Sequence, residues 1–274
     1  MSHAVDLLIN CYERTYREVL TAERFAAAQA DNVAPIARRT ALVNNVLDRA
    51  DAQARADALI AEGGLDAVFF VEDHLDDALA RTGLTREDLG PVPYFTDWAL
   101  VAACLPGPEW LLHWDAEVRL RAPLDWVTPA IALMERDARV LIANPNWPDP
   151  TLDSHTLEEA GPFALGHGFS DQVFLARRSE LARPIYRDRT LARLRYPVAH
   201  LGDIFEARID SHLRRSGRLR ATHREATYEH PVEMGMAYPR RSLGETARYA
   251  RNRAVSRGLA AVPRALRPAS LKCL

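Results

Sequence analysis

The chain of 274 residues holds three cysteines, a single lysine and no glycine before Gly63, and each shortage removes a class of function. Cys11, Cys104 and Cys273 are odd in number and widely scattered, so neither a zinc knuckle nor a paired disulfide framework can be drawn through them. A reducing cytosol suits such a set. No basic leader precedes an apolar run with a cleavage site, and the most apolar stretch, Trp98 to Leu105, is far shorter than the roughly 20 residues of a membrane-spanning helix. The expectation is a cytoplasmic protein, neither secreted nor integral to a membrane. Cys273 is second from the end, not fourth, which excludes a prenylation box. The missing glycine bears on nucleotides. In many nucleotide-binding α/β folds a Gly-rich turn after the first strand brings backbone amides to the phosphates, whereas here that turn reads Cys11-Tyr12-Glu13-Arg14. This argues against a dinucleotide-binding fingerprint and against the Gly-rich loop of sugar-phosphate nucleotidyltransferases. Any bound phosphate must be neutralised by something else.

What is present is the composition of an ordinary globular chain, 48% hydrophobic and 26% charged. The net charge of −2 hides an asymmetry. From Arg240 to Leu274 nine basic residues face one acid, Glu245, a balance of +8 that leaves −10 on the remainder. The economical division is a body over 1–239 and a basic tail over 240–274. Within the tail Val255, Leu259, Val262 and Leu266 form one apolar stripe, interrupted by Pro263 and accompanied by Arg248, Arg251, Arg253 and Arg257. A basic amphipathic segment of this kind suits an anionic membrane surface, which would place the protein peripherally at the inner face of the membrane. Docking of the tail on the acidic body is the alternative. Nucleic acid is disfavoured, because an acidic body repels phosphates and the aromatics are not interleaved with basic residues.

Apolar runs of strand length occur at Val5–Asn10, Ala41–Val46, Ala67–Val71 and Trp110–Trp114, with helix-like stretches between them at Ala22–Ala30, Arg49–Glu62 and Leu75–Arg81. This alternation predicts an α/β fold, a mainly parallel sheet flanked by helices. After Glu117 the alternation stops at Pro123, Pro129, Pro145, Pro148 and Pro150, and 144–150 reads as an irregular loop carrying Trp147. Strands are expected again at Val140–Ala143, Gln172–Arg177 and Arg218–Thr227, with a helix over Asp203–Arg215 that Gly217 ends.

The richest segment is Trp110-Leu111-Leu112-His113-Trp114 running into Asp115-Ala116-Glu117. In extended backbone, residues two apart share a side and lie roughly 7 Å apart, so the two carboxylates can converge on one hard divalent cation. A solvated strand end is the bland alternative. Asn44 and Asn45 follow the second strand and suit either a nucleobase edge or ordinary turn chemistry. Asp97 stands where it either faces a ligand or caps the next helix. Asp171, after the Gly166-His167-Gly168 turn, offers hydrogen-bond acceptors to a ligand or belongs to a plain turn, and Trp147 offers a flat stacking face or loop packing.

Taken together these segments resemble the GT-A nucleotide-sugar glycosyltransferases, particularly the inverting family 2 type. Val5 to Arg14 resembles the first strand and turn. Val43-Asn44-Asn45-Val46-Leu47-Asp48-Arg49 resembles the second strand, with asparagines where two aspartates are common. Asp115-Ala116-Glu117 is similar to the D-x-D motif. Members commonly carry an acidic dyad 12 and 11 residues before a glycine that ends a helix, and a histidine 13 residues after it. Anchored on Gly217, that register selects Phe205-Glu206 and His230, so one acid of the dyad survives. The resemblance implies a GT-A-like fold, a Mn²⁺ or Mg²⁺ ion held by Asp115, Glu117 and His230, and a nucleoside-diphosphate sugar contacted by Asn44, Asn45, Asp97, Asp115 and Asp171. It also implies a catalytic base at Glu206, with Asp203 as the substitute, and a glycan or lipid-linked acceptor. An unperturbed glutamate, with a pKa of about 4.3, is ionised at neutral pH. The other readings are a nucleotidyltransferase or metal-assisted phosphohydrolase, and a degenerate GT-A domain that binds a nucleotide or glycan as a membrane-associated scaffold.

Overall fold

The computed structural model describes residues 3–148, 152–229 and 241–271. In chain order, β1 (Val5–Tyr12) leads through the short α1 (Tyr16–Val19) and α2 (Ala22–Asn32) to β2 (Ile36–Asn44), α3 (Arg49–Ala61), β3 (Ala67–Phe70), α4 (Val71–Thr82) and α5 (Asp97–Cys104). There follow β4 (Trp110–Asp115), β5 (Arg119–Leu120), α6 (Val127–Arg136), β6 (Val140–Asn146), α7 (Leu152–His155), β7 (Thr156–Ala160), β8 (Phe163–Gly166) and β9 (Val173–Arg177). The last are α8 (Arg178–Leu181), α9 (Phe205–Ser216), β10 (Leu219–Glu229) and α10 (Leu243–Ala261).

The strands join one sheet in the order β3-β2-β1-β4-β9-β6-β10-β8-β7, with β5 paired to β10. The pairs β3-β2, β2-β1, β1-β4 and β6-β10 are parallel, and β9 runs antiparallel to both β4 and β6. The carboxyl ends of β1, β2, β4, β6 and β10 therefore share one edge with the start of β9. Between β1 and β4 the order reverses, the place where open α/β sheets leave a crevice for ligands.

Alternation along each strand feeds two cores. On one face Leu7, Ile9, Leu112 and Trp114 pack with Phe25, Ala52 and Trp126; on the other Leu8, Leu42 and Leu111 pack with Leu75, Trp98 and Phe205. His113 points into the second core between Trp98 and Phe174, and burial pushes its pKa down to about 3, so it is a neutral core histidine.

The proline-rich region is more regular than its sequence suggests. Pro129 sits in the first turn of α6, where its missing N–H removes no helical bond. Pro145 lies inside β6 instead of an irregular loop, because beyond Ala143 that strand no longer pairs with β9 and its free edge tolerates a missing donor. The tail folds as α10, opened by a capping box between Ser242 and Glu245 and ended at Val262, the residue before Pro263. It lies against the body: Arg248 Nε donates to the His200 carbonyl at 3.1 Å, and Arg214 Nη1 donates to the Ser270 carbonyl at 3.2 Å. Val255 and Leu259 are half-buried, while Leu243 and Leu266 stay exposed.

Candidate functional site

The register places Asn10 beside Asp115 and Tyr12 beside Asn44 on the shared carboxyl edge. Asp115 and Glu117 do not meet by strand alternation. β4 ends at Asp115, whose carbonyl accepts the Val118 amide at 3.2 Å and whose Oδ1 accepts the Glu117 amide at 3.2 Å. A tight turn thus holds the two acids, and the Trp114 indole donating to the Val118 carbonyl at 3.1 Å fixes it. The Asp115 amide in turn donates to the Gln172 carbonyl at 2.7 Å, which ties the turn to the segment entering β9 and brings Asp171 into electrostatic reach of Asp115.

Glu206 arrives from the first turn of α9. Its place is set by Phe205, fully buried among Trp98, Phe169, Phe174 and Tyr186 with ring centroids 5.5 to 6.0 Å away. The buried Phe205 ring thereby anchors its neighbour Glu206. Glu206 Oε1 accepts the Asp171 amide at 3.3 Å. Burial and the neighbouring Asp171 carboxylate push the Glu206 pKa well up, and burial with the charge of Asp115 pushes Asp171 up to about 7. Glu206 is therefore not the ordinary ionised glutamate the sequence suggests. The two carboxyls perturb one another as a pair.

The helix face carrying Glu206 is not the solvated acidic face that the alternative reading supposes. Asp210 is fully buried, accepting the Gly168 amide at 2.9 Å and Arg214 Nε at 2.7 Å, with Arg195 3.4 Å away. Burial alone would raise its pKa, but Arg195, Arg214 and these hydrogen bonds hold it below the usual carboxylate value. Gly168 has φ of +96°, a conformation that strains any residue with a Cβ, so glycine suits this loop where it closes on Asp210. Asp203 is engaged elsewhere, by Arg189 at 2.8 Å and by Arg193. Its two oxygens are thus committed to two guanidiniums.

Asn44 and Asp97 meet each other. Asn44 Nδ2 donates to Asp97 Oδ1 at 2.9 Å, and the same oxygen accepts the Trp98 amide at 2.6 Å. Both are buried, and burial raises Asp97 to about 6. Asn45 is exposed with φ of +48°, a conformation asparagine tolerates, which is turn chemistry. His230 lies outside the described residues.

Several residues at this edge escape the sequence reading. Tyr228, buried at the end of β10, shares a 3.1 Å hydrogen bond with Ser170 and lies in electrostatic reach of Glu206 and Asp171. Half-exposed Trp147 packs edge-on against it with centroids 5.2 Å apart. Arg24 on α2 lies within electrostatic reach of Asp115 and Glu117, and Arg14 stands near Tyr12. An arginine on a helix face carries no motif, so only the fold reveals Arg24, while Arg14 lies in the turn after β1.

Among the described residues no group of three His, Cys, Asp or Glu side chains is placed to grip an ion. Two carboxylates on one turn nevertheless fit a magnesium-like ion, which commonly takes one or two protein carboxylates and leaves its other positions to phosphate oxygens and water.

No protein family and no curated protein matches the chain. Among solved structures it is similar to GalNAc-T7 with UDP, GalNAc and Mn²⁺, at 11% identity over 91% of this chain and 48% of that one, with a TM-score of 0.48. It is also similar to glucosyl-3-phosphoglycerate synthase from Mycobacterium tuberculosis with Mn²⁺, UDP and phosphoglyceric acid, at 12% identity over 95% and 80%, with a TM-score of 0.42. A third is mouse xyloside xylosyltransferase 1, at 13% identity over 64% and 68%, with a TM-score of 0.37. The chain spans about half the length of the first of these.

Proposed function

We propose that this chain is a metal-dependent, inverting glycosyltransferase of the GT-A type, resembling family 2, that moves a sugar from a nucleoside diphosphate to a hydroxyl acceptor. One observation carries the reading. Glu206 stands against Asp171, and Asp171 beside Asp115, at the edge where the strand order reverses, although about 90 residues of chain separate Asp115 from Glu206.

Asp115 and Glu117, with His230 as the further ligand, would hold a divalent ion whose chemistry is to offset the charge that grows on the departing diphosphate. Arg24 and Arg14 supply positive charge where a Gly-rich turn is missing. The acceptor oxygen attacks the anomeric carbon on the face opposite the diphosphate, its bond forming as the carbon–phosphate oxygen bond breaks. The hydroxyl proton passes to the Asp171–Glu206 pair, and the electron pair leaves on the diphosphate. Trp147, exposed beside Tyr228, offers a flat face to an acceptor sugar.

Calorimetry with UDP and GDP tests the metal step. Nucleotide binding is expected to need Mn²⁺ or Mg²⁺, to vanish in EDTA, and to weaken at least tenfold in Asp115→Asn and Glu117→Gln; metal-independent binding overturns the assignment. Binding with no turnover of any donor favours the degenerate scaffold, for which the asparagines at 44 and 45 and the aromatic at 205 speak.

The tail reading extends to lipid. Arg251 and Arg257, exposed on α10, with Leu243 at its first position and Leu266 beyond its end, would rest on an anionic membrane, suiting a cell-envelope or lipid-linked acceptor. The full chain is expected to pellet with phosphatidylglycerol vesicles at low salt, and Arg251→Glu with Arg257→Glu to abolish it. Equal pelleting of the two proteins retires the idea.

A further inference from the structure

A cavity of about 260 Å³ lies between α10 and the segment 194–200, apart from the Asp115–Glu117 turn. Arg195, Arg241 and Arg253 line it with His200, Tyr249 and Asn252, and among the described residues no aspartate or glutamate does. Such a concentration of positive charge is unexpected against a body carrying −10.

The walls are organised. Arg241 lies over the Tyr249 ring, 3.9 Å from its centroid, and its Nε donates to His200 Nε2 at 3.3 Å. An imidazole nitrogen that accepts from a guanidinium is unprotonated, and burial together with Arg241 lowers the His200 pKa, so the histidine orients the arginine without competing for an anion. Tyr249 also meets the His200 ring edge-on at 5.4 Å. Asn252 is the buried polar residue of α10, directed to this side. Among the described residues neither Arg241 nor Arg253 has a carboxylate within ion-pair distance, whereas Arg195 has Asp210 at 3.4 Å. Like charges gathered in a recess repel one another, and a bound dianion removes that cost. The planar fork of arginine matches phosphate oxygens, and the volume admits a compact ligand, below the size of ordinary drug-like pockets.

We propose that this cavity binds a phosphate monoester group, on a soluble molecule or a lipid headgroup, through Arg241 and Arg253 with Arg195. Arg195 also lies in electrostatic reach of Glu206, whereas Arg241 and Arg253, on which the test is built, take no part in the transferase reading.

The test is a titration of the full chain with inorganic phosphate in EDTA, without nucleotide. One saturable site is expected, weakened at least tenfold in Arg241→Gln/Arg253→Gln and unchanged in Arg86→Gln/Arg121→Gln, a distant pair that alters net charge equally. Arg253→Gln alone, on the exposed flank of α10, gives a milder version of the same loss should the double variant fold poorly. Phosphatidylcholine vesicles with phosphatidic acid separate the sources: pelleting that inorganic phosphate competes away assigns the group to a lipid, and phosphate binding without pelleting assigns it to a soluble ligand. No saturable phosphate binding by the folded chain, or equal affinity in wild type and both glutamine variants, overturns the site.

Discussion

Glu206→Gln is expected to lower kcat for sugar transfer by about 10²–10⁴ while leaving metal-dependent nucleotide binding within twofold, the loss typical of a removed general base. The substitution keeps the shape of the side chain and its acceptor oxygen for the Asp171 amide, so the loop stays in place while the proton-accepting function is gone. The pH profile carries the sharper signature. Because burial raises both carboxyls, helped by the charge of Asp115 at Asp171, which reaches about 7, and by Asp171 at Glu206, the proposed base works in its ionised form, and the wild-type rate should rise as pH passes upward through neutrality. The stability consequence has the opposite sign. A carboxyl whose pKa is raised by folding stabilises the native state fully below its unfolded value near 4 and loses that contribution as pH rises through the folded value. Glu206→Gln should therefore melt roughly 2–4 °C above the wild type at pH 8, about 1 kcal/mol for a chain of this size, and show no gain at pH 4. Unchanged kcat would remove Glu206 from the chemistry, and a variant destabilised at pH 8 would show that the pair is not held at the cost described.

The second large effect lies far from the site. Arg178→Ala is expected to cost about 3–5 kcal/mol in urea unfolding, the usual penalty for leaving one member of a buried ion pair alone. Asp6 is fully buried and its Oδ2 accepts Arg178 Nη2 at 2.6 Å, while its Oδ1 accepts the Thr40 hydroxyl at 2.7 Å. Arg178 also donates through Nε to the Pro108 carbonyl at 3.1 Å and through Nη1 to the Ala102 carbonyl. One guanidinium thus satisfies acceptors from β1, from the end of α5 and from the turn before β4. Replacing both partners, as Asp6→Leu with Arg178→Met, should cost far less than the single change, because no charge is then stranded. A loss below about 1 kcal/mol for Arg178→Ala would mean that water reaches Asp6.

The central sheet was legible because its strands announce themselves: 5–10, 67–71 and 110–114 are apolar runs whose ends the structure moves by one or two residues. Gly217 does end α9, with φ of +71°. The second half was harder. α6 and β6 each contain a proline at a position that the neighbouring hydrogen-bond pattern happens to tolerate, and that tolerance is a property of the assembled sheet. β7 pairs with β8 and β8 with β10, and the short, mixed segments that form them have no strong period. Within the site, the place of Asp115 at the end of β4 follows from the apolar run before it, but the turn that holds Glu117 beside it and the link through Asp171 to Glu206 do not. Nor does the mutual capture of Asn44 and Asp97, since a polar pair 53 residues apart looks the same in sequence whether it faces a ligand or itself. Tyr228 and Arg24 were invisible for the related reason that one tyrosine in a strand and one arginine on a helix have no local signature.

The span between Asp6 and Arg178 also constrains how the molecule is made. During synthesis on the ribosome β1 emerges early, yet the guanidinium that neutralises its buried acid follows only after 171 intervening residues. Until then the centre of the sheet carries an uncompensated carboxylate, and the nascent amino-terminal half cannot settle into its final state. Truncated translation products that end before Arg178 should accordingly be open to proteolysis, which makes α8 the latch at which the growing polypeptide commits to its fold.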